Sequence, residues 1–186
     1  GIAGLDRRGS DRLAAQARVL EEHPECAFVS CWTEFCGPQW EALWLTKGAP
    51  RSTEPVSMLP NDPRQGLLGD VPHHGSVMFR RLAYERAGGY RTEFYFGQDW
   101  DLWYRLAEAG SYQVVPHALY RVRIFPTSIS MTRKPFQDES ARCSLGAFVA
   151  RRQNHDESAW LQRAQACRPA NHALANGMAN TSGEPG

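Results

Sequence analysis

Hydrophobic residues recur at helical spacing in several segments of the chain. Leu102, Trp103 and Leu106 mark the clearest of these, a short helix that follows Gly97 and closes at Gly110. Three more helices are predicted: one capped by Ser10 or Asp11 that ends near Glu22, one that follows Arg81 and ends at Ala87, and one over residues 134–153. Denser apolar runs predict strands over residues 26–33, 75–79, 112–115 and 118–124.

Two stretches lack such a pattern. Residues 37–70 contain Gly, Pro, Asn and Asp at short intervals, which predicts mostly loop with a short helix near residues 56–59. From residue 155 the composition drifts to Ala, Asn, Gly and Ser, which predicts a disordered tail over residues 155–186. The elements before this tail predict one α/β domain over residues 1–154, a mixed sheet with flanking helices.

The composition is that of an ordinary globular protein. The 186 residues are 42% hydrophobic and 22% charged, which is enough for one sizeable core. A net charge of +1 gives no electrostatic argument for nucleic acid. No apolar run approaches the ~20 residues that span a bilayer, and no signal peptide opens the sequence. We therefore expect no nucleic-acid partner and no transmembrane segment.

The five cysteines do not form a zinc-like pattern. Cys26, Cys31 and Cys36 are evenly spaced, but along a strand this spacing places neighbours on opposite faces, so buried small hydrophobic residues are favoured over a metal cluster. An odd number of cysteines fits reduced thiols in a cytosolic protein. His73 and His74 also lack a third ligand at a suitable spacing.

Two carboxylates, Asp99 and Asp101, stand at the start of the helix that closes at Gly110. Unpaired backbone N–H groups and the positive end of the helix dipole favour an ionised Asp99, which would act as a base. Asp101 points elsewhere and is expected to pair with Arg105 one turn later. Capping and core packing are the commoner roles of such residues at a helix start, so the helix alone favours them over a catalytic role.

Several segments, in order, resemble the inverting glycosyltransferases of family 2, which have the GT-A fold. The segments are Leu5-Asp6 with residues 12–16 and 23–24, then residues 74–81, 87–91, 98–103, and 119–123 with 128–130. Their order and spacing make the set more specific than any single motif. The resemblance covers roughly residues 5 to 130. It implies the C-terminal, acceptor-side portion of a GT-A fold.

The resemblance also implies roles for individual residues. In that family the first Asp of the signature Gln98-Asp99-Trp100-Asp101 is the catalytic base, and here this is Asp99. Such a base takes the acceptor hydroxyl proton while the oxygen attacks the anomeric carbon opposite the leaving nucleotide diphosphate. The donor is then a nucleotide-diphosphate sugar, and the acceptor is a saccharide or a lipid-linked hydroxyl. The residues expected to contact substrate are His74, Gln98, Trp100, Asp101 and Arg123.

The resemblance is weakest at the metal motif. Family members bind Mg²⁺ or Mn²⁺ through an Asp-x-Asp motif, and the cation bridges the phosphates. Here Asp6 is the one metal ligand that the motif offers, because Arg7 and Arg8 follow it. Either arginine can contact phosphate directly, and a solvated basic turn is the alternative interpretation. Phe125 stands where many relatives have a His.

Two functions are consistent with these features. In the family, a nucleotide-binding βαβ half precedes the acidic motif, whereas this sequence begins at that motif. The chain is then either the acceptor-side half of an active transferase or a non-catalytic glycosyltransferase-like domain that lacks the donor site. The first implies cell-surface polysaccharide biosynthesis in the cytoplasm, with a peripheral position at the inner face of the membrane. Strands missing on one side would expose a sheet edge, which predicts self-association.

Overall fold

The computed structural model describes residues 7–47, 71–128 and 132–168. In chain order the elements are α1 (Arg7–Glu22), β1 (Cys26–Cys36), β2 (Ala42–Thr46), a 3₁₀ turn (His74–Ser76), β3 (Met78–Phe79), α2 (Arg81–Arg86), α3 (Gln98–Ala109), β4 (Ser111–Arg123), α4 (Lys134–Arg152) and α5 (Ser158–Ala166). The predicted helices are confirmed, although α1 begins before the expected cap. The possible helix at residues 56–59 lies outside the described residues.

Strand β1 is the centre of the sheet. It pairs in parallel with β4 along its whole length, from Cys26 opposite Ser111 to Cys36 opposite Arg123. Its other edge is shared by two antiparallel neighbours, β3 near the start of β1 and β2 near its end. The prediction of a mixed sheet with flanking helices is confirmed. The GT-A topology stays a prediction.

The core lies on both faces of β1. On one face, α3 buries Leu102, Trp103 and Leu106 completely against Phe28 and against α4. On the other face, α1 covers a second cluster that includes Val29. Each large side chain buried in this way contributes roughly 1.5–3 kcal/mol relative to an exposed one. The result is a three-layer arrangement in which α3 is held from both sides, and its first turn is therefore fixed in position.

The strand predictions are wrong in three places. Strand β2 lies inside the segment predicted as loop, and β3 is preceded by a 3₁₀ turn rather than being a continuous strand from residue 75. Strand β4 runs without a break through the position where the sequence predicts two strands. Pro116 falls where the register with β1 shifts, between the pairs made by Val115 and Ala118. A bulge tolerates proline because the residue there need not donate to the ladder.

The predicted tail begins too early. Residues 158–166 form α5, which packs on α4 with the Trp160 ring against Gly146 and with Ala164 buried. Glu157, at the start of α5, accepts from both Arg91 and Arg151. The prediction of disorder is therefore wrong for residues 155–168, because contacts with the rest of the fold stabilise this helix. Residues 169–186 lie outside the described part of the chain.

All five cysteines are free thiols, as predicted, and Cys167 alone of the five is partly exposed. Burial raises the pKa of Cys26, Cys31 and Cys143 to about 11. These thiols are packing residues and are not reactive groups.

Candidate functional site

The 3₁₀ turn that carries the two histidines is held rigidly by α1 and β4. The buried Gln16 Nε2 donates to the carbonyl oxygens of Ser76 at 2.8 Å and Val29 at 3.1 Å, and Arg12 Nη1 donates to that of Gly75 at 2.9 Å. Tyr120 of β4 lies so close that a Cβ atom on Gly75 would be 2.2 Å from its Oη. The positions of His73 and His74 are therefore set by the surrounding fold.

His73 is a neutral ring with a defined tautomer. Its Nδ1 accepts from the Gly75 N–H at 3.2 Å, so the ring proton is assigned to Nε2. The ring contacts Phe35 of β1 and Tyr120 of β4, with centroid distances of 5.8 and 5.3 Å. Burial lowers the pKa of His73, and the nearby charge of Asp99 opposes that shift. His73 is thus an uncharged residue that borders the site.

Asp99 stands in the first turn of α3. Gly97 before it takes the left-handed conformation (φ 61°), which glycine adopts without steric strain, and the Trp100 N–H donates to Asp99 Oδ1 at 3.1 Å. Burial raises the pKa of Asp99, while His74, two backbone N–H groups and His73 oppose the increase. The expectation that the helix start holds Asp99 readily ionised is corrected, since desolvation dominates. A carboxylate with a raised pKa is a stronger base once ionised.

A histidine–tyrosine pair lies beside this carboxylate. His74 Nε2 and Tyr90 Oη are 2.9 Å apart and share a hydrogen bond. Burial raises the pKa of Tyr90, and the charge of Asp99 adds to the increase. Both residues line two openings, one of about 490 Å³ that also includes Gln98, and one of about 430 Å³ that also includes Arg12. The site therefore combines an imidazole and a phenol that line space for a ligand with a buried carboxylate, Asp99, that lines neither of these two openings.

Asp101 lies behind this site. Its side chain is fully buried, and its Oδ2 accepts from Arg105 Nε at 2.9 Å and from Nη2 at 2.6 Å. Arg91 Nη1 is 3.6 Å from the other carboxylate oxygen, and Arg105 Nη1 also donates to the Ala87 carbonyl. The predicted pairing with Arg105 is confirmed. A carboxylate enclosed in this way joins α2 to α3 and is not open to a substrate.

The remaining sequence candidates are spread more widely. Gln98 lines the larger opening, whereas Trp100, in the first turn of α3, is half-buried and packs against the core. Arg123 is exposed at the end of β4, with its guanidinium carbon 4.9 Å from the Trp40 ring centroid and 4.8 Å from that of Phe125. Asp6 lies outside the described residues. The structure therefore brings Asp99, Gln98 and His74 together and leaves Arg123 in a different cluster.

Sequence reasoning missed the roles of His73 and Tyr90 in this site. Tyr90 follows two consecutive glycines with positive φ, Gly88 at 78° and Gly89 at 69°, and this turn points the chain back toward α2. The sequence signal for this turn is the pair of glycines before an aromatic residue. The hydrogen bond from Tyr90 to His74 and the influence of the Asp99 charge on His73 and Tyr90 join residues from separate elements, and no local pattern predicts them.

The site lies where the two parallel strands of the sheet end. His73 contacts Phe35, one residue before the end of β1, and Tyr120, near the end of β4. Ligands in α/β proteins commonly bind beyond the carboxyl ends of parallel strands.

Within residues 7–47, 71–128 and 132–168, no three or more His, Cys, Asp or Glu side chains are grouped as a metal site would need. Asp6, the ligand that the family resemblance implies, lies outside the described residues, so the divalent cation stays a prediction.

The fold and site define a three-layer α/β domain with an acid–base cluster at the carboxyl edge of its sheet. No protein-family model matches the chain, and no curated protein is significantly similar to it. None of the helices that the structure describes is both long enough and apolar enough to cross a bilayer.

Proposed function

We propose that the chain is the acceptor-side half of an inverting glycosyltransferase of family 2 type, with Asp99 as the base. The observation that carries this proposal is the position of Asp99, desolvated in the first turn of α3 near His74, whose side chain lines an opening of about 490 Å³ together with the neighbouring Gln98. The ordered motif resemblance supports the same assignment. The donor is a nucleotide-diphosphate sugar, and the acceptor is a saccharide or lipid-linked hydroxyl.

In the proposed reaction, Asp99 removes the proton of the acceptor hydroxyl as its oxygen forms a bond to the anomeric carbon. The bond from that carbon to the diphosphate oxygen breaks on the opposite face, and the electron pair leaves with the nucleotide diphosphate. His74, fixed by Tyr90, stands beside Asp99 and orients the acceptor. Asp99 then releases its proton to water, which restores the base.

The test is a transfer assay with a panel of UDP-, GDP- and dTDP-sugars, saccharide acceptors, and Mg²⁺ or Mn²⁺. It uses this chain and, where the gene encodes further residues upstream, the longer protein. The expected result is acceptor-dependent release of nucleotide diphosphate, with a product of inverted anomeric configuration by NMR. If no donor in the panel gives acceptor-dependent release from the longer protein, the non-catalytic alternative replaces this proposal.

The same proposal assigns the protein to the cytoplasm, peripherally at the inner face of the membrane. Fractionation of cells that express a tagged protein tests this assignment. The protein is expected to sediment with membranes at low salt and to be released by high salt without detergent.

A further inference from the structure

Exposed apolar side chains are concentrated at one end of the sheet. Nine large hydrophobic side chains are exposed in the part of the chain that the structure describes, and five of them lie in the β1–β2 hairpin or just after β4. We call these five residues the hairpin patch. They are Trp40, Leu43, Trp44, Leu45 and Phe125, and they are 38–51% exposed.

Strand β2 presents this apolar surface on both of its faces. Side chains of consecutive strand residues point to opposite faces, yet Leu43, Trp44 and Leu45 are all exposed. Trp44 stacks on Phe35 at 4.8 Å between ring centroids, which holds the hairpin on the sheet. An apolar cluster of this kind on a water-exposed surface is typical of a contact site for a partner or a membrane.

Trp40 has an unfavourable backbone conformation, and its ring is exposed at this surface. Its φ of 67° lies in the left-handed region, which bulky side chains rarely adopt. The carbonyl of Trp40 accepts from Arg121 Nη2 at 2.9 Å, and its N–H donates to the Gly37 carbonyl at 2.9 Å. Strained residues of this kind are concentrated at functional sites. A glycine would form the same turn without strain, so the ring itself is the feature to explain.

Cations surround the apolar residues. Arg121 forms an ion pair with Glu34, and the exposed Glu41 accepts from the Gln39 N–H. Among the described residues, neither Lys47 nor Arg123 has a carboxylate partner. Instead, Lys47 Nζ is 5.2 Å from the Trp32 ring centroid, and Arg123 lies between the rings of Trp40 and Phe125. These two cations lie beside aromatic rings, of which Trp40 and Phe125 are exposed, and they have no carboxylate partner in the described part of the chain, which favours an anionic partner with an apolar interior.

We propose that the hairpin patch binds the interfacial layer of an anionic lipid bilayer. Tryptophan, leucine and phenylalanine enter the boundary between headgroups and acyl chains, while Lys47 and Arg123 contact lipid phosphates. A second copy of the chain fits less well, because it would bring the same unpaired cations together. This inference rests on the peripheral membrane position given with the proposed function and names the surface responsible for it. It does not depend on the chemistry of Asp99, so vesicle binding and glycosyl transfer can fail separately.

The test is sedimentation of the full chain with phosphatidylcholine vesicles, with and without phosphatidylglycerol. Binding is expected to the anionic vesicles and is expected to weaken as NaCl is added. Lys47→Gln is expected to lower the partition coefficient about fivefold, and Leu43→Ser roughly tenfold. The matched controls Lys134→Gln and Leu82→Ser change residues that are also exposed but lie outside the patch, and they should leave the partition coefficient unchanged.

Trp40→Gly separates a role in binding from a role in folding. The variant is expected to unfold at the same urea concentration as the parent chain or at a higher one, yet to bind anionic vesicles several-fold more weakly. The proposal is overturned if the parent chain binds neutral and anionic vesicles equally or binds neither. It is also overturned if Leu43→Ser has no more effect than Leu82→Ser. A concentration-dependent dimer that Leu43→Ser abolishes, without vesicle binding, would make the patch a self-association surface.

Discussion

Two aspartates in the same helical turn are expected to respond in opposite ways to the same substitution. Asp101→Asn leaves Arg105, whose side chain is 5% exposed, buried without its counter-ion. Breaking a buried ion pair by neutralising one partner costs about 3–5 kcal/mol. Asparagine can still accept one of the two N–H groups, so we expect the lower end, about 3 kcal/mol. That is a large share of the 5–15 kcal/mol that typically stabilises a domain, taken as an order-of-magnitude range.

Asp99→Asn removes a charge that the fold disfavours. Because burial raises the pKa of Asp99, the folded state holds the ionised form less well than the unfolded state does. The free energy of unfolding at neutral pH should therefore stay the same or increase. The measurement for both variants is urea unfolding, followed by tryptophan fluorescence and far-UV circular dichroism.

The control for this pair is Asp138→Asn, an exposed aspartate that pairs with Lys134 on α4. Exposed pairs contribute little, so its unfolding free energy should stay within about 0.5 kcal/mol of the parent. An Asp101→Asn variant no less stable than Asp138→Asn would contradict a structural role for the buried ion pair. Equal destabilisation by Asp99→Asn and Asp101→Asn would contradict the different environments of the two carboxylates.

Three further predictions follow from the geometry. Since folding raises the pKa of Asp99, its contribution to stability falls as pH rises from the ordinary value of 3.8 through the folded pKa. The unfolding free energy of Asp99→Asn, measured with urea over this pH range, should lack this loss of stability. Gly146→Ala would place a Cβ atom 2.4 Å from the Trp160 ring, so we expect a loss of about 1–3 kcal/mol and faster hydrogen exchange in α5; unchanged exchange would contradict the packing. At mildly alkaline pH, the thiol reagent DTNB should titrate Cys167 in the native protein and the four buried cysteines only after unfolding. A second thiol that reacts in the native protein as fast as Cys167 would contradict the burial of the other four.

Local signals were sufficient for much of the fold. Helix α3 begins after Gly97 and ends before Gly110, where the sequence predicted it. Gly97 takes the left-handed conformation, and Gly110 lies where a Cβ atom would be 2.8 Å from the Glu25 carbonyl oxygen. Spacing along one helix also predicted the Asp101–Arg105 pair, since residues four apart lie on the same face.

The errors arose where tertiary contacts outweigh local preference. Strand β2 lacks the alternation of a half-buried strand because both of its faces are exposed, and pairing with β1 forms it nonetheless. Pro116 normally interrupts a strand, yet a register shift in β4 accommodates it. Helix α5 is stabilised by Trp160 on Gly146 and by ion pairs to Glu157, which its own composition does not indicate.

The candidate site was predicted only in part. Asp99 and His74 were named from motif resemblance, whereas the neutral tautomer of His73 and the bond from His74 to Tyr90 depend on how separate elements meet. The raised pKa of Asp99 also depends on the assembled fold, because the effect of burial outweighs that of the backbone N–H groups at the helix start.

The assignment of Asp99 as the base is tested by the effect of Asp99→Asn on turnover, with Asp138→Asn as the matched control. The measurement uses the donor and acceptor that give transfer in the panel assay. A base in this position contributes on the order of 10²–10⁴ to the rate, so we expect kcat to fall by that factor while the Kd for donor stays within about twofold. An Asp99→Asn variant that folds and keeps the turnover of Asp138→Asn would contradict the assignment of Asp99 as the base.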